Sequence, residues 1–150
     1  MKSILIVLTF AALSLQAGAQ TATDSVKAVV NNLFTAMKNA DGKLLASCFA
    51  DSAILQTITK DKSGQVVIKN EPVQEFIEFV KNESIGAADE RIVFETVKTD
   101  GALAIAWTPY QFYYKGQFSH CGVNSFQLVR TSTGWKIQYL IDTRRKAGCN

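Results

Sequence analysis

The chain has one histidine, His120, and it sits inside the most aromatic stretch of the sequence. An imidazole that titrates near neutrality can act as general base, general acid or hydrogen-bond partner to a ligand. The plainer reading is a strand histidine hydrogen-bonded to backbone. Asn124, on the same stretch, carries an amide that needs protein, water or ligand partners if it is buried. Tyr110, Tyr113 and Tyr139 offer phenols, either as core aromatics with a satisfied hydroxyl or as donors to a bound molecule. Cys48, Cys121 and Cys149 match no metal-ligand spacing, and a lone histidine adds little to them. The sequence carries no Ser-His-Asp order, nucleophile elbow, phosphate loop or metal-binding run. No metal and no cofactor is expected.

The elements that must position these groups are concentrated in residues 102–144. This stretch reads as three antiparallel strands, ALAIAWTPYQFYY, FSHCGVNSFQLVR and GWKIQYLIDT, with turn signals at Lys115-Gly116-Gln117 and Thr131-Ser132-Thr133-Gly134. Upstream, Thr23 or Asp24 can cap a helix to about residue 39, with Val26, Val29, Val30, Leu33, Phe34, Met37 and Ala40 on one buried face. A short helix over residues 43–49 follows. SAILQTIT and QVVIK form a hairpin around Asp61-Lys62-Ser63-Gly64. Pro72 opens a third helix over residues 71–82 that buries Val73, Phe76, Ile77 and Val80. Residues 91–98 read as a strand that turns at Asp100-Gly101 into the long meander.

Period-two alternation assigns faces. On the last strand the bulky apolar set, Trp135, Ile137, Tyr139 and Ile141, is expected to point inward, and Lys136, Gln138, Leu140 and Asp142 outward. Pairing Arg130 with Trp135 sets Phe126 opposite Tyr139, with Leu128, Phe126, Asn124, Gly122 and His120 inward on the middle strand. Cys121, Val123, Ser125 and Gln127 then lie on the convex face. On the first strand, proline cannot donate to a ladder, so a bulge is expected near Thr108-Pro109. Leu103, Ile105 and Trp107 would point inward before it, and Tyr110 and Phe112 after it. Trp107, Tyr110, Phe112, His120, Asn124, Phe126 and Tyr139 thus surround one hollow, closed on the helix side by Leu33, Phe34, Met37 and Phe76. An aromatic hollow with a few convergent polar groups is the pattern of a small-molecule site.

Residues 1–19 read as a secretory signal peptide: Lys2, then an apolar run, then Ala17-Gly18-Ala19 before Gln20. The run is too short for a stable membrane span, so none is expected after cleavage. Residues 20–150 suit one domain. Loss of Lys2 takes the formal net charge from +3 to about +2, too weak a bias to argue for nucleic acid or anionic membrane. Arg144-Arg145-Lys146 reads as a solvated basic tail. In an oxidising compartment the three cysteines allow one bridge. Cys121 starts the middle strand, whose partner lies near Arg145, so Cys121–Cys149 is expected. Cys48–Cys149 and three free thiols are the alternatives.

The order helix, helix, hairpin, helix, meander, together with D-S-A-I-L after F-A and the W-T-P-Y, H-C-G-V-N-S-F and G-W-K-I segments, resembles the nuclear transport factor 2-like (NTF2-like) superfamily. The nearest resemblance is to its SnoaL-like and exported bacterial lumazine-binding groups. It implies an α+β, cystatin-like cone, a strongly curved and mostly antiparallel sheet wrapped around the N-terminal helices. It also implies a homodimer through the convex face, here Val123, Ser125, Gln127, Gln138 and Leu140. In ketosteroid isomerase-like relatives an aspartate base closes a D-x-A-x-V-x-D run; the matching run here, Asp51 to Thr57, ends in a threonine. Dehydratase relatives use two histidines, and this chain has one. The expected function is therefore binding of a small apolar or aromatic molecule without a complete catalytic constellation. The rivals are an acid–base enzyme using His120 with Tyr110 or Tyr139, and a dimeric module whose cavity is filled by its own side chains.

Overall fold

The computed structural model describes residues 21–149, so the expected leader lies outside the described residues. Helix α1 (Ala22–Asn39) starts where the Thr21 hydroxyl accepts the Asp24 N–H at 3.1 Å. It stops at Ala40, whose φ of 55° is left-handed. Asp41 caps the short α2 (Gly42–Cys48) in the same way, at 2.9 Å from the Leu44 N–H. The hairpin β1 (Phe49–Lys60) and β2 (Val66–Asn70) follows, then α3 (Val73–Lys81) with Pro72 as its N-cap. The remaining strands are β3 (Ala88–Ile92), β4 (Thr96–Asp100), β5 (Leu103–Tyr114), β6 (Gln117–Thr131) and β7 (Gly134–Thr143).

The strands form one curved seven-stranded sheet in the order β2-β1-β7-β6-β5-β3, with β4 also on β5. All pairs are antiparallel except β1 with β7. Residues 91–98, expected as one strand, divide between β3 and β4, which occupy successive stretches of β5. Pro109 supplies the reason. Its carbonyl accepts the Val93 N–H at 3.0 Å, and it has no N–H to return, so the edge ladder breaks there. The irregularity expected within β5 thus falls on the neighbouring edge strand.

With β5 unbroken from Leu103 to Phe112, its inner face is Ala104, Ala106, Thr108, Tyr110 and Phe112. Leu103, Ile105 and Trp107 face outward, which corrects the inward assignment of all three; Trp107 is 45% exposed. Packing decides this orientation. Phe126 and Leu128 on β6 lie across from Ala106 and Ala104, and large side chains inside leave room only for small ones opposite. The α1 stripe Val26, Val30, Leu33, Phe34 and Met37 closes over them, with Phe34 edge-on to Phe126 at 6.2 Å.

The last strand needs a second correction. Arg130 pairs with Trp135 as expected, but Leu128 pairs with Ile137 and Gln127 with Tyr139, leaving Gln138 as an extra residue in β7. Beyond this bulge the parity flips. Leu140 and Asp142 point inward and are buried, while Tyr139 and Ile141 point outward. A bulge increases local twist, which the curved sheet requires.

Past β7, Cys121 and Arg145 exchange backbone hydrogen bonds, each at 2.9 Å. This sets Cys121 and Cys149 5.8 Å apart at Cα, joined by a disulfide. Cys48 is free and buried, and burial pushes its thiol up to about 11. No helix among the described residues is long and apolar enough to cross a membrane.

Candidate functional site

Between α1, α3 and the concave face of the sheet lies a cavity of about 480 Å³. Leu33, Phe34 and Met37 of α1 and Phe76 and Phe79 of α3 form its helix side, and Leu55 and Leu140 part of its floor. Of the expected site residues, Phe34, Met37, Phe112, His120 and Asn124 line it. Tyr110 is buried behind this wall, and Phe126 is 0% exposed within the core. Two do not join them. Trp107 faces outward for the packing reason given above, and Tyr139 is carried outward by the Gln138 bulge, where its hydroxyl donates to Gln56 at 2.7 Å.

Asp142, expected on the convex face, is the centre of a buried network. Its Oδ1 accepts the Thr57 hydroxyl at 2.6 Å. Its Oδ2 lies 2.9 Å from the Tyr110 hydroxyl and 2.9 Å from Arg144 Nε. The Tyr110 hydroxyl is also 2.9 Å from the Thr143 carbonyl, so its single proton is shared between two acceptors. Gly122 makes that approach possible, because a Cβ there would run into the Thr143 carbonyl and the Tyr110 ring. Arg144, expected in a solvated tail, instead folds over the cavity rim. Its Nη2 donates to Thr57 Oγ1 at 2.8 Å and to Glu71 Oε1 at 3.3 Å. Burial, with the charges of Asp142 and Glu90, drives the Tyr110 phenol far above its ordinary range.

A second acidic group stands apart from this network. Glu90 on β3 lies opposite Phe112, and its Oε1 accepts the Asn124 amide at 2.7 Å. Burial pushes its carboxyl up to about 7; the Asn124 bond opposes the shift and the Asp142 charge adds to it. At neutral pH this group can either donate or accept a proton. His120 shows the opposite displacement. Burial, then the Arg144 charge, holds its pKa below the ordinary value, so the ring is neutral near pH 7. It packs edge-on to Tyr110 at 5.7 Å and against Phe112 at 5.1 Å, with Nδ1 3.0 Å from the Ser119 hydroxyl.

Glu90 and Glu71 are absent from the expected site residues, and Asp142 and Arg144 are expected away from the cavity. For Glu90 a signal existed: Ala88, Glu90 and Ile92 alternate as one face, which aims a carboxylate inward between apolar neighbours. Asp142 had no local signal, because its side is set by the bulge. No group of three or more His, Cys, Asp or Glu among the described residues is arranged to hold a metal.

No protein-family model matches the sequence, and no curated protein matches it. Solved structures do match. An NTF2-like protein of unknown function from Shewanella baltica superposes with a TM-score of 0.62 at 13% identity, covering 82% of this chain and 93% of that one. Another, from Shewanella oneidensis, gives 0.64 at 12% identity, covering 82% and 99%. A domain of unknown function with a cystatin-like fold from Nostoc punctiforme gives 0.64 at 18% identity, covering 85% and 80%. The chain has the NTF2-like fold. At these identities the likeness establishes architecture alone. Within this NTF2-like cone, Thr57 stands at the position that the sequence resemblance matches to the aspartate base of ketosteroid isomerase-like relatives. Thr57 is buried there, and the carboxylate beside it, Asp142, comes from the neighbouring strand.

Proposed function

We propose that this NTF2-like domain binds a small, largely apolar or aromatic molecule in the cavity between α1, α3 and the sheet. The supporting observation is the division of the lining. Phe34, Met37, Phe76 and Leu140 give an apolar wall, while His120, Asn124, Glu90 and the Asp142–Arg144 pair converge from three strands and the tail. A cavity of about 480 Å³ falls in the range of drug-sized sites. Native mass spectrometry of protein purified without denaturation should show a bound mass that solvent extraction releases. Ligand-free protein in every preparation, with no thermal stabilisation by small aromatics, would remove the reading.

A second reading, an acid–base enzyme, has its own support in Glu90, a carboxyl near neutrality a few side chains from the Asp142 network. In that case Glu90 and His120, which both line the cavity, would carry the chemistry. Tyr110 and Tyr139, the expected partners of His120, do not reach its surface. Loss of turnover with retained ligand affinity in Glu90→Gln separates the two readings. We further take the domain to act after export, since residues 1–19 carry a leader pattern and the Cys121–Cys149 bridge suits an oxidising compartment. Exported material should begin at Gln20 by N-terminal sequencing.

A further inference from the structure

Resting on the reading of the cavity as a binding site, we propose that its ligand is an organic cation, a small aromatic or aliphatic amine whose protonated nitrogen seats against Glu90. The lining contains the carboxyls of Glu71, Glu75, Glu90 and Asp142, and a single permanently charged cation, Arg144. That cation is committed elsewhere. Arg144 is ion-paired to Asp142 at 2.9 Å and to Glu71 at 3.3 Å. Both oxygens of Asp142 are occupied by Thr57, Tyr110 and Arg144. Glu75 is exposed at the mouth. Glu90 differs from all three: among the described residues its one hydrogen-bond partner is the neutral amide of Asn124, and no cation lies within ion-pair reach.

The groups around Glu90 leave that gap open from every side. From β6 come Asn124 and the neutral ring of His120; from β5, Phe112 across the strand pair and the un-ionised Tyr110. From β7 and the tail come Asp142, which repels a second negative charge, and the already paired Arg144. Helix α1 presents only Leu33, Phe34 and Met37 to the cavity. A half-buried carboxylate without a counter-charge is unfavourable, and a ligand ammonium supplies the missing partner. Aromatic faces attract cations as well, and four phenylalanines, Phe34, Phe76, Phe79 and Phe112, line this space. An anionic ligand would instead meet uncompensated negative charge. Because Glu90 is largely protonated below neutrality, seating an ammonium ionises it, and the carboxyl proton passes to the buffer as the ion pair forms.

The test is calorimetry with three probes of one shape: phenethylamine, phenethyl alcohol and hydrocinnamate. Each is titrated into the full domain in two buffers of different ionisation enthalpy. The amine is expected to bind about tenfold more tightly than the alcohol, and the carboxylate most weakly. At about pH 6 close to one proton should be released per amine bound, falling towards zero at about pH 8. Glu90→Gln should lose the amine preference and keep the alcohol. Equal affinity for amine and alcohol, amine binding without proton release at the lower pH, or a preference that survives in Glu90→Gln each overturns the proposal while leaving the cavity a binding site. Failure of all three probes at millimolar concentration overturns both.

Discussion

Glu90 is a carboxyl whose environment sets it well away from what its type suggests. Its folded-state pKa of about 7 lies above the ordinary 4.5, so the folded protein holds this proton more tightly than the unfolded chain. Its contribution to stability is therefore full below about pH 4.5 and is lost as pH rises through about 7, a change of about 3 kcal/mol. Glu90→Gln removes that loss. Urea denaturation across this range should show the variant gaining on the parent as pH rises, whereas parallel curves would mean that the carboxyl is well solvated. Gly122 is a second single-residue constraint, because a Cβ there meets backbone that cannot swing away. Gly122→Ala should cost about 3 kcal/mol by thermal melting, and an unchanged melting temperature would show that β6 and β7 can separate without penalty.

At the scale of elements, the segment after β7 carries more than its length suggests. It is tied to β6 by the Cys121–Cys149 bridge across 28 residues, and between its ends it holds Arg144 over the cavity rim. Loop-closure entropy gives such a bridge about 3–4 kcal/mol. Cys149→Ser should lower stability by up to that amount and loosen Arg144 from Asp142. His120 reports the second effect. Arg144 helps to hold the imidazole pKa down while Asp142 pulls it up, so releasing the guanidinium raises it. Titration by NMR should find His120 shifted upward in Cys149→Ser and in Arg144→Gln. An unmoved His120 in both variants would show that burial alone sets its pKa.

For the whole molecule, the open question is what covers the convex face. Leu103, Ile105 and Trp107 stand exposed on it beside the small, uncharged Val123, Ser125 and Gln127 of β6. Leu140 drops out of the expected contact set because it faces inward. An apolar sheet face of this kind fits a two-fold partner with the same surface. We expect a homodimer by light scattering at micromolar concentration, and a monomer with an unchanged circular dichroism spectrum in Trp107→Lys. A parent protein that is monomeric at high micromolar concentration would reject the dimer.

Much of this architecture was legible in the chain itself, because its determinants are local. The α1 stripe, the hairpin and the inner face of β6 follow from side-chain period within one element. Counting along one strand pair brings Cys121 near Cys149, although the sequence left Cys48–Cys149 as a rival that the structure removes. The NTF2-like order of elements could be read for the same reason. What the sequence could not fix depends on neighbours far along the chain. The faces of Tyr139 and Asp142 turn on one extra residue at Gln138, placed where two curved strands must stay in register. Trp107 faces outward because Phe126 and Leu128 already fill the interior opposite Ala106 and Ala104. Glu90 acquires its character only when β6, β7 and the tail bring Asn124, Asp142 and Arg144 around it. A periodicity belongs to a segment, whereas a bulge position, a packing volume and a shifted proton affinity belong to the assembled molecule.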